Sequence, residues 1–195
     1  TFAGLVAISY SWEKKGHPDA SRETLTKVLA PAIEWYMSER ARLIQNNGRQ
    51  IVDGHESKLW YNGQPLTEES VDFGVFLDYC SMHQHRVSSE GEVIKQRTAE
   101  EYAAFDRAID RMDLVYAHQL TVKFRLTRQL DSHKGNLPYD WRGWPLFETA
   151  VASLISTSWN VLDFGQVDFS KPIEYFELDS PFSARVMLRG WGKDQ

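Results

Sequence analysis

Glu148 lies four residues after Trp144 in Gly143-Trp144-Pro145-Leu146-Phe147-Glu148. On a helix that spacing sets a carboxylate and an indole on the same side. Pro145 fits the start of such a helix, where a missing N–H costs little. Glu148 is then expected in the first turn, where the helix's partial positive charge stabilises a carboxylate by roughly 0.3–1 kcal/mol. An acid beside an indole at a ligand-binding rim is a workable catalytic pair. An acid at a helix N-terminus is equally an ordinary stabilising device, and spacing alone leaves both readings open. Cys80, His83 and His85 fall within six residues, with His118 and His133 downstream. Zinc sites are usually built from Cys-x2-Cys or His-x3-His pairs, so one thiol and a His-Gln-His triplet read as polar-loop residues and no metal is expected. The sequence holds no Gly-x-Ser-x-Gly elbow, Gly-x-Gly-x-x-Gly or P-loop, which leaves a serine hydrolase or a glycine phosphate cradle unsupported. Cys80 follows an apolar strand and reads as a buried, inert thiol.

Positioning these residues requires strands and helices in alternation. Leu5 to Tyr10 is an apolar run of the kind a buried parallel strand gives, and a polar loop through Trp12 and Pro18 follows. Ser21 is the expected cap of a helix over about 22–42 with a stripe of Leu25, Val28, Leu29, Ala32 and Tyr36; Pro31 inside it should kink or break it. Gly74 to Asp78 reads as a second central strand, adjacent and parallel to the first. Thr98-Ala99-Glu100-Glu101 is a capping box, and the helix behind it is expected to bury Tyr102, Phe105, Ile109 and Met112. Leu120 to Leu126 alternates apolar residues with Thr121, Lys123 and Arg125, a strand with one wetter face. The helix from Gly143 is expected to bury Phe147, Ala150, Val151 and Leu154. This alternation implies a flavodoxin-like three-layer α/β domain with a mostly parallel central sheet. Ligands in such sheets bind at the carboxyl ends of the strands. The loops after Tyr10, after Asp78 and before Trp144 therefore form one rim.

The 195 residues are read as a single domain, 1–195. Three Asx-Gly turns mark 44–72 as an edge excursion, in which Gln50 to Val52 and Lys58 to Tyr61 could pair; the segment from about 160 is an unassigned C-terminal extension. With 42% hydrophobic and 25% charged residues, disorder, collagen and coiled coil are excluded. A net charge of −5 without a basic run argues against duplex nucleic acid or an anionic membrane surface as partner. No apolar run approaches the ~20 residues of a membrane span. Thr1 leads almost directly into a strand-like run, the pattern of a trimmed chain with no signal peptide. A single cysteine fits a reducing, cytoplasmic setting. The surplus is aromatic, with seven Trp, eight Tyr and ten Phe, which serve cores and ligand walls alike.

Four pieces together resemble a known family. Val6-Ala7-Ile8-Ser9-Tyr10-Ser11-Trp12 is similar to the first strand and loop of Toll/interleukin-1 receptor (TIR) domains, and Val75-Phe76-Leu77-Asp78 to their second strand. Ala108-Ile109-Asp110 resembles the end of the next helix, and Trp144 to Glu148 resembles the family's Trp-Cys-x-x-Glu helix start. Order and spacing agree over roughly residues 5–155. Pro145 stands where the family usually has cysteine and Thr149 where it has leucine; the segments 44–72 and 127–142 are longer than its usual connections.

The resemblance implies a TIR-like NAD glycohydrolase, cleaving the nicotinamide–ribose bond in a defence, cell-death or toxin role, with hydrolysed or cyclised product. The family's catalytic glutamate falls on Glu148. Tyr10, Trp12 and Trp144 would stack on nicotinamide or adenine, Ser9 and Ser11 would bind phosphate or ribose, and Asp78 lies on the same rim. NAD is then a substrate, no cofactor is expected, and TIR-like self-association implies a homo-oligomer. Two alternatives stay open: a non-catalytic TIR-like signalling adaptor, and an enzyme like the nucleoside hydrolases or deoxyribosyltransferases, which share a flavodoxin-like sheet and a catalytic glutamate.

Overall fold

The structure, a computed structural model, describes residues 4–14, 16–45, 49–52, 55–58, 60–61, 64–65, 72–88, 92–155, 161–165, 167 and 169. Its centre is β1 (Leu5–Tyr10), flanked in parallel by β2 (Gly74–Phe76), with Leu5 opposite Gly74, and by β3 (Thr121–Leu126), with Leu5 opposite Thr121. A fourth parallel strand, β4 (Val161–Asp163), pairs with β3 and gives the order β2-β1-β3-β4. β4 lies at the start of the segment that sequence left unassigned. The chain leaves β1 toward one neighbour and returns to the other, so the switch point of this flavodoxin-like sheet lies at the carboxyl end of β1.

Both faces of the sheet are covered. On one, Val6, Ile8 and Tyr10 of β1 and Phe124 and Leu126 of β3 pack against α1 (Ala30–Gln45) and the π-turn Leu25–Leu29 leading into it, through Val28, Leu29 and Ala32. Leu25 itself is half exposed. On the other face lie α4 (Met112–Ala117) and α5 (Gly143–Ile155), with Met112 and Tyr116 against Ala7. Between β2 and α4 come the short α2 (Asp78–Ser81) and α3 (Ala99–Ile109). Among the described residues no helix is long and apolar enough to cross a membrane.

Several local expectations change. Pro31 neither breaks nor ends its helix. The preceding turn widens, with the Ala30 amide bonding to Leu25 O five residues back, which gives room to a ring that would clash in a tight α-turn. Ser21 accepts from the Glu23 amide at 3.2 Å, but the Asp19 carboxylate holds the helix entry, accepting from Thr24 and Leu25 amides at 2.9 and 2.8 Å. The capping box forms as expected: the Glu101 amide donates to Thr98 Oγ1 at 3.2 Å and the Thr98 amide to Glu101 Oε2 at 2.8 Å. Asp78 starts α2 instead of ending β2. In the 44–72 segment the pairing is more local than expected. Arg49–Val52 pairs with His55–Lys58, and Trp60–Tyr61 with Gln64–Pro65. The strand-like run 184–188 lies outside the described residues.

Three periodicity readings are overturned. Thr121 and Lys123 of β3 are buried, so its polar side faces protein, not water. α3 buries no residue fully; Tyr102 is exposed, and its apolar stripe borders a cavity. α5 is rotated from its expected face: Phe147, Ala150 and Leu154 are exposed, while Pro145, Glu148 and Ala152 are buried. Because the helix starts at Gly143, Glu148 lies past the first turn, which holds no acid, so the helix end is not what stabilises it.

Candidate active site

The rotation of α5 follows from what its inner face meets. Ser9, on the polar side of β1, hydrogen-bonds through Oγ to Glu148 Oε2 and to the Tyr139 hydroxyl. Tyr139 belongs to a single 3-10 turn, Tyr139–Trp141, just before α5, and its hydroxyl also lies 3.5 Å from Thr149 Oγ1. Ser9 has one proton and donates it to the carboxylate, so Tyr139 must be the donor to Ser9. The chain of donors therefore runs Tyr139 to Ser9 to Glu148. Tyr116 of α4 donates to Ile8 O at 2.9 Å and also contacts the Glu148 carboxylate, as does the Trp144 side chain. Turning Leu154 inward in place of Glu148 would bury more carbon, but it would leave the buried Ser9 hydroxyl without its acceptor, at ~1–3 kcal/mol.

Glu148 is only 3% exposed. Burial raises its pKa to about 7; the hydrogen bond from Ser9 and the contacts of Tyr116 and Trp144 with the carboxylate oppose that rise, and the negative charge of Asp78 adds to it. The group therefore changes charge near neutral pH, the range in which a carboxyl can serve as either acid or base. Burial also raises Tyr116 and Tyr139 above the ordinary tyrosine value, keeping both as neutral donors.

A second carboxylate is built nearby. Asp78, 6% exposed, accepts from the Tyr10 hydroxyl at 3.0 Å, from the Tyr79 amide at 2.6 Å and from the Trp12 side chain. Burial raises its pKa, and these hydrogen bonds oppose the rise. Burial, and then the charge of Asp78, push Tyr10 well above its ordinary value.

Asp78, Tyr10, Trp12 and Trp144 form part of the wall of a cavity of about 440 Å³, closed on the far side by Phe105, Ile109 and Met112. Trp12 meets Tyr79 edge-on at 5.7 Å. Four of the residues expected at the rim thus converge on one cavity. Ser9 and Glu148 lie behind that wall, and Trp144 joins the two layers, since it lines the cavity and also contacts the Glu148 carboxylate. Ser11 is buried off the cavity wall, and its Oγ has no hydrogen-bond partner among the described residues.

Sequence reasoning missed Tyr116, Tyr139 and Arg142. Tyr116 lies beyond the stripe that ends at Met112, and Tyr139 sits in a stretch read as a connection. The density of Tyr139, Trp141 and Trp144 around Arg142 was the available signal. Phe105 and Ile109 were visible as an apolar stripe, but their partner is open space.

Arg97 holds the loop that carries His83 and His85. It bonds the His83 carbonyl at 2.6 Å, the His85 ring at 3.2 Å and Gln84 Oε1 at 3.3 Å. Among the described residues no group of three His, Cys, Asp or Glu side chains could hold a metal ion. Cys80 is exposed.

The fold and site define a class: a parallel α/β domain with an aromatic cavity at the strands' carboxyl ends and two buried carboxylates beside it. Compared with protein-family models, with curated proteins and with solved structures, the chain has no match.

Proposed function

We propose that the chain is a TIR-like NAD glycohydrolase that cleaves the nicotinamide–ribose bond with Glu148 as its catalytic carboxylate. One observation carries the reading: Glu148 is held by Ser9 and Trp144 directly behind an aromatic cavity that has a second carboxylate, Asp78, on its wall. Aromatic walls suit a flat pyridinium ring, and cations are attracted to aromatic faces. A cation between Asp78 and Glu148 favours ionisation of both, so substrate binding itself prepares the carboxylate. The C–N bond then breaks with its electron pair passing to the ring nitrogen, and nicotinamide leaves neutral. The ribosyl cation left behind is stabilised by the Glu148 carboxylate. Water adds to the ribosyl carbon, Glu148 accepts its proton, and ADP-ribose is released.

The test is nicotinamide release from NAD by the purified chain, with Glu148→Gln alongside. Loss of a preorganised charge of this kind lowers the rate on the order of 10²–10³. Equal rates in the two proteins refute the role of Glu148. Ribonucleosides and deoxynucleosides in parallel reactions identify the nucleoside hydrolase or deoxyribosyltransferase reading.

A second reading has its own support. Leu146, Phe147 and Leu154 on the outer side of α5 are 53%, 42% and 81% exposed, an apolar face that favours self-association, with or without catalysis. Release of no base from any substrate, together with a concentration-dependent rise in mass by light scattering, establishes the adaptor.

A further inference from the structure

Arg142 and Trp12 line not only the aromatic cavity but also a second, more open groove of about 580 Å³, which adds Lys14, Asn136 and Trp141. Arg142 and Trp12 are thus the residues shared by the two walls. The Arg142 guanidinium is fixed in place: Nε donates to Leu137 O at 3.0 Å and Nη1 to Trp12 O at 2.5 Å. Both acceptors are neutral carbonyls, and among the described residues no carboxylate pairs with it.

Arg125, at the carboxyl end of β3, is the useful contrast. Its guanidinium has Asp140 at 2.9 Å and Asp163 at 3.5 Å. Arg142 has no such compensation, and burial pulls its pKa below the ordinary arginine value. A partly buried, immobilised cation without a counter-charge is costly in the empty protein and is relieved by an anion. The planar fork of arginine matches phosphate oxygens. Glu13, the acid on the groove, is engaged by the Ser21 amide at 2.7 Å. Next to Arg142, Trp141 is 75% exposed at the groove. An indole left in water there contributes little to the core but offers a face on which a base can stack.

We propose that the cavity and the groove are two halves of one site, in which Arg142 anchors the phosphates of a dinucleotide-like ligand and Trp141 stacks on its distal base. The inference rests on reading the aromatic cavity as the place for the ring that is cleaved off. It adds the groove as the subsite for a nucleoside diphosphate half.

Isothermal titration with ADP and with inorganic pyrophosphate tests this, using the full chain as wild type, Arg142→Gln and Trp141→Ala. ADP and pyrophosphate should each bind Arg142→Gln at least tenfold more weakly. Trp141→Ala should weaken ADP about tenfold and leave pyrophosphate unchanged, since only ADP carries a base to stack. Trp141 is exposed and its loss spares the fold, so it decides the matter even if Arg142→Gln loosens the loop. Equal ADP affinity in wild type and Trp141→Ala, or no ADP binding to wild type at millimolar concentration, overturns the proposal. ADP has no nicotinamide bond, which separates the two readings. Nicotinamide release without ADP binding removes the groove and keeps the glycohydrolase; ADP binding without nicotinamide release does the reverse.

Discussion

The same strands present two different interiors to the helices on either side of the sheet. Toward α1, β1 offers Val6, Ile8 and Tyr10, and β3 offers Phe124 and Leu126. Tyr36 meets Phe124 and Phe73 edge-on at 5.2 Å each, and Phe124 lies 4.7 Å from Phe164. Toward α4 and α5, the alternate residues are Ala7 and Ser9 of β1 and Thr121, Lys123 and Arg125 of β3. These meet Tyr116, Tyr139 and Glu148 in place of leucines. Lys123 is buried there, its amine donating to His118 O at 2.8 Å. One face supplies stability through area and close packing. The other gives up part of that gain to hold hydroxyls and charges in fixed directions, as a chemical site requires.

Phe124→Ala strikes the apolar face at its centre and should cost about 3–5 kcal/mol by urea unfolding. A loss under about 1 kcal/mol would mean that this face is not tightly packed and that the contrast is false. The polar face should declare itself through pH. The folded chain keeps the Glu148 proton up to about pH 7, against an ordinary value of 4.5. Between those values the folded state binds more protons than the unfolded state. Stability therefore falls as pH rises through that window and levels off above it, by on the order of 3 kcal/mol in all. Glu148→Gln should remove this part of the slope, read as the difference between wild-type and variant unfolding curves at pH 5 and pH 8. Parallel curves would place the carboxyl in water.

Smaller and more selective is Tyr139→Phe. It deletes the donor to Ser9 and should cost about 1–2 kcal/mol. It should also raise the midpoint of the Glu148-dependent change, because a Ser9 hydroxyl that no longer accepts a bond donates less strongly to the carboxylate. An unchanged midpoint would break the Tyr139–Ser9–Glu148 chain.

The order of strands and helices, the parallel pairing of β1 with β2 and the capping box at Thr98 were all legible in the sequence, because each rests on local signals: an apolar run, a turn, a hydroxyl three residues before a glutamate. The rim was legible for a similar reason, since the carboxyl ends of parallel strands are implied once the strands are. Helix rotation was not. Along α5 large apolar residues occur on several sides, so periodicity cannot choose the inner face. The choice was made by Ser9, 139 positions away from Glu148 in the chain, whose hydroxyl needs an acceptor, and by Tyr116 and Tyr139, 32 and 9 positions away, which close around that pair. In β3, alternation correctly separated polar from apolar residues but could not say that the polar side faces protein. Covering that side takes α4 and α5, and only their packing converts a serine, a lysine and a glutamate from surface residues into a buried site.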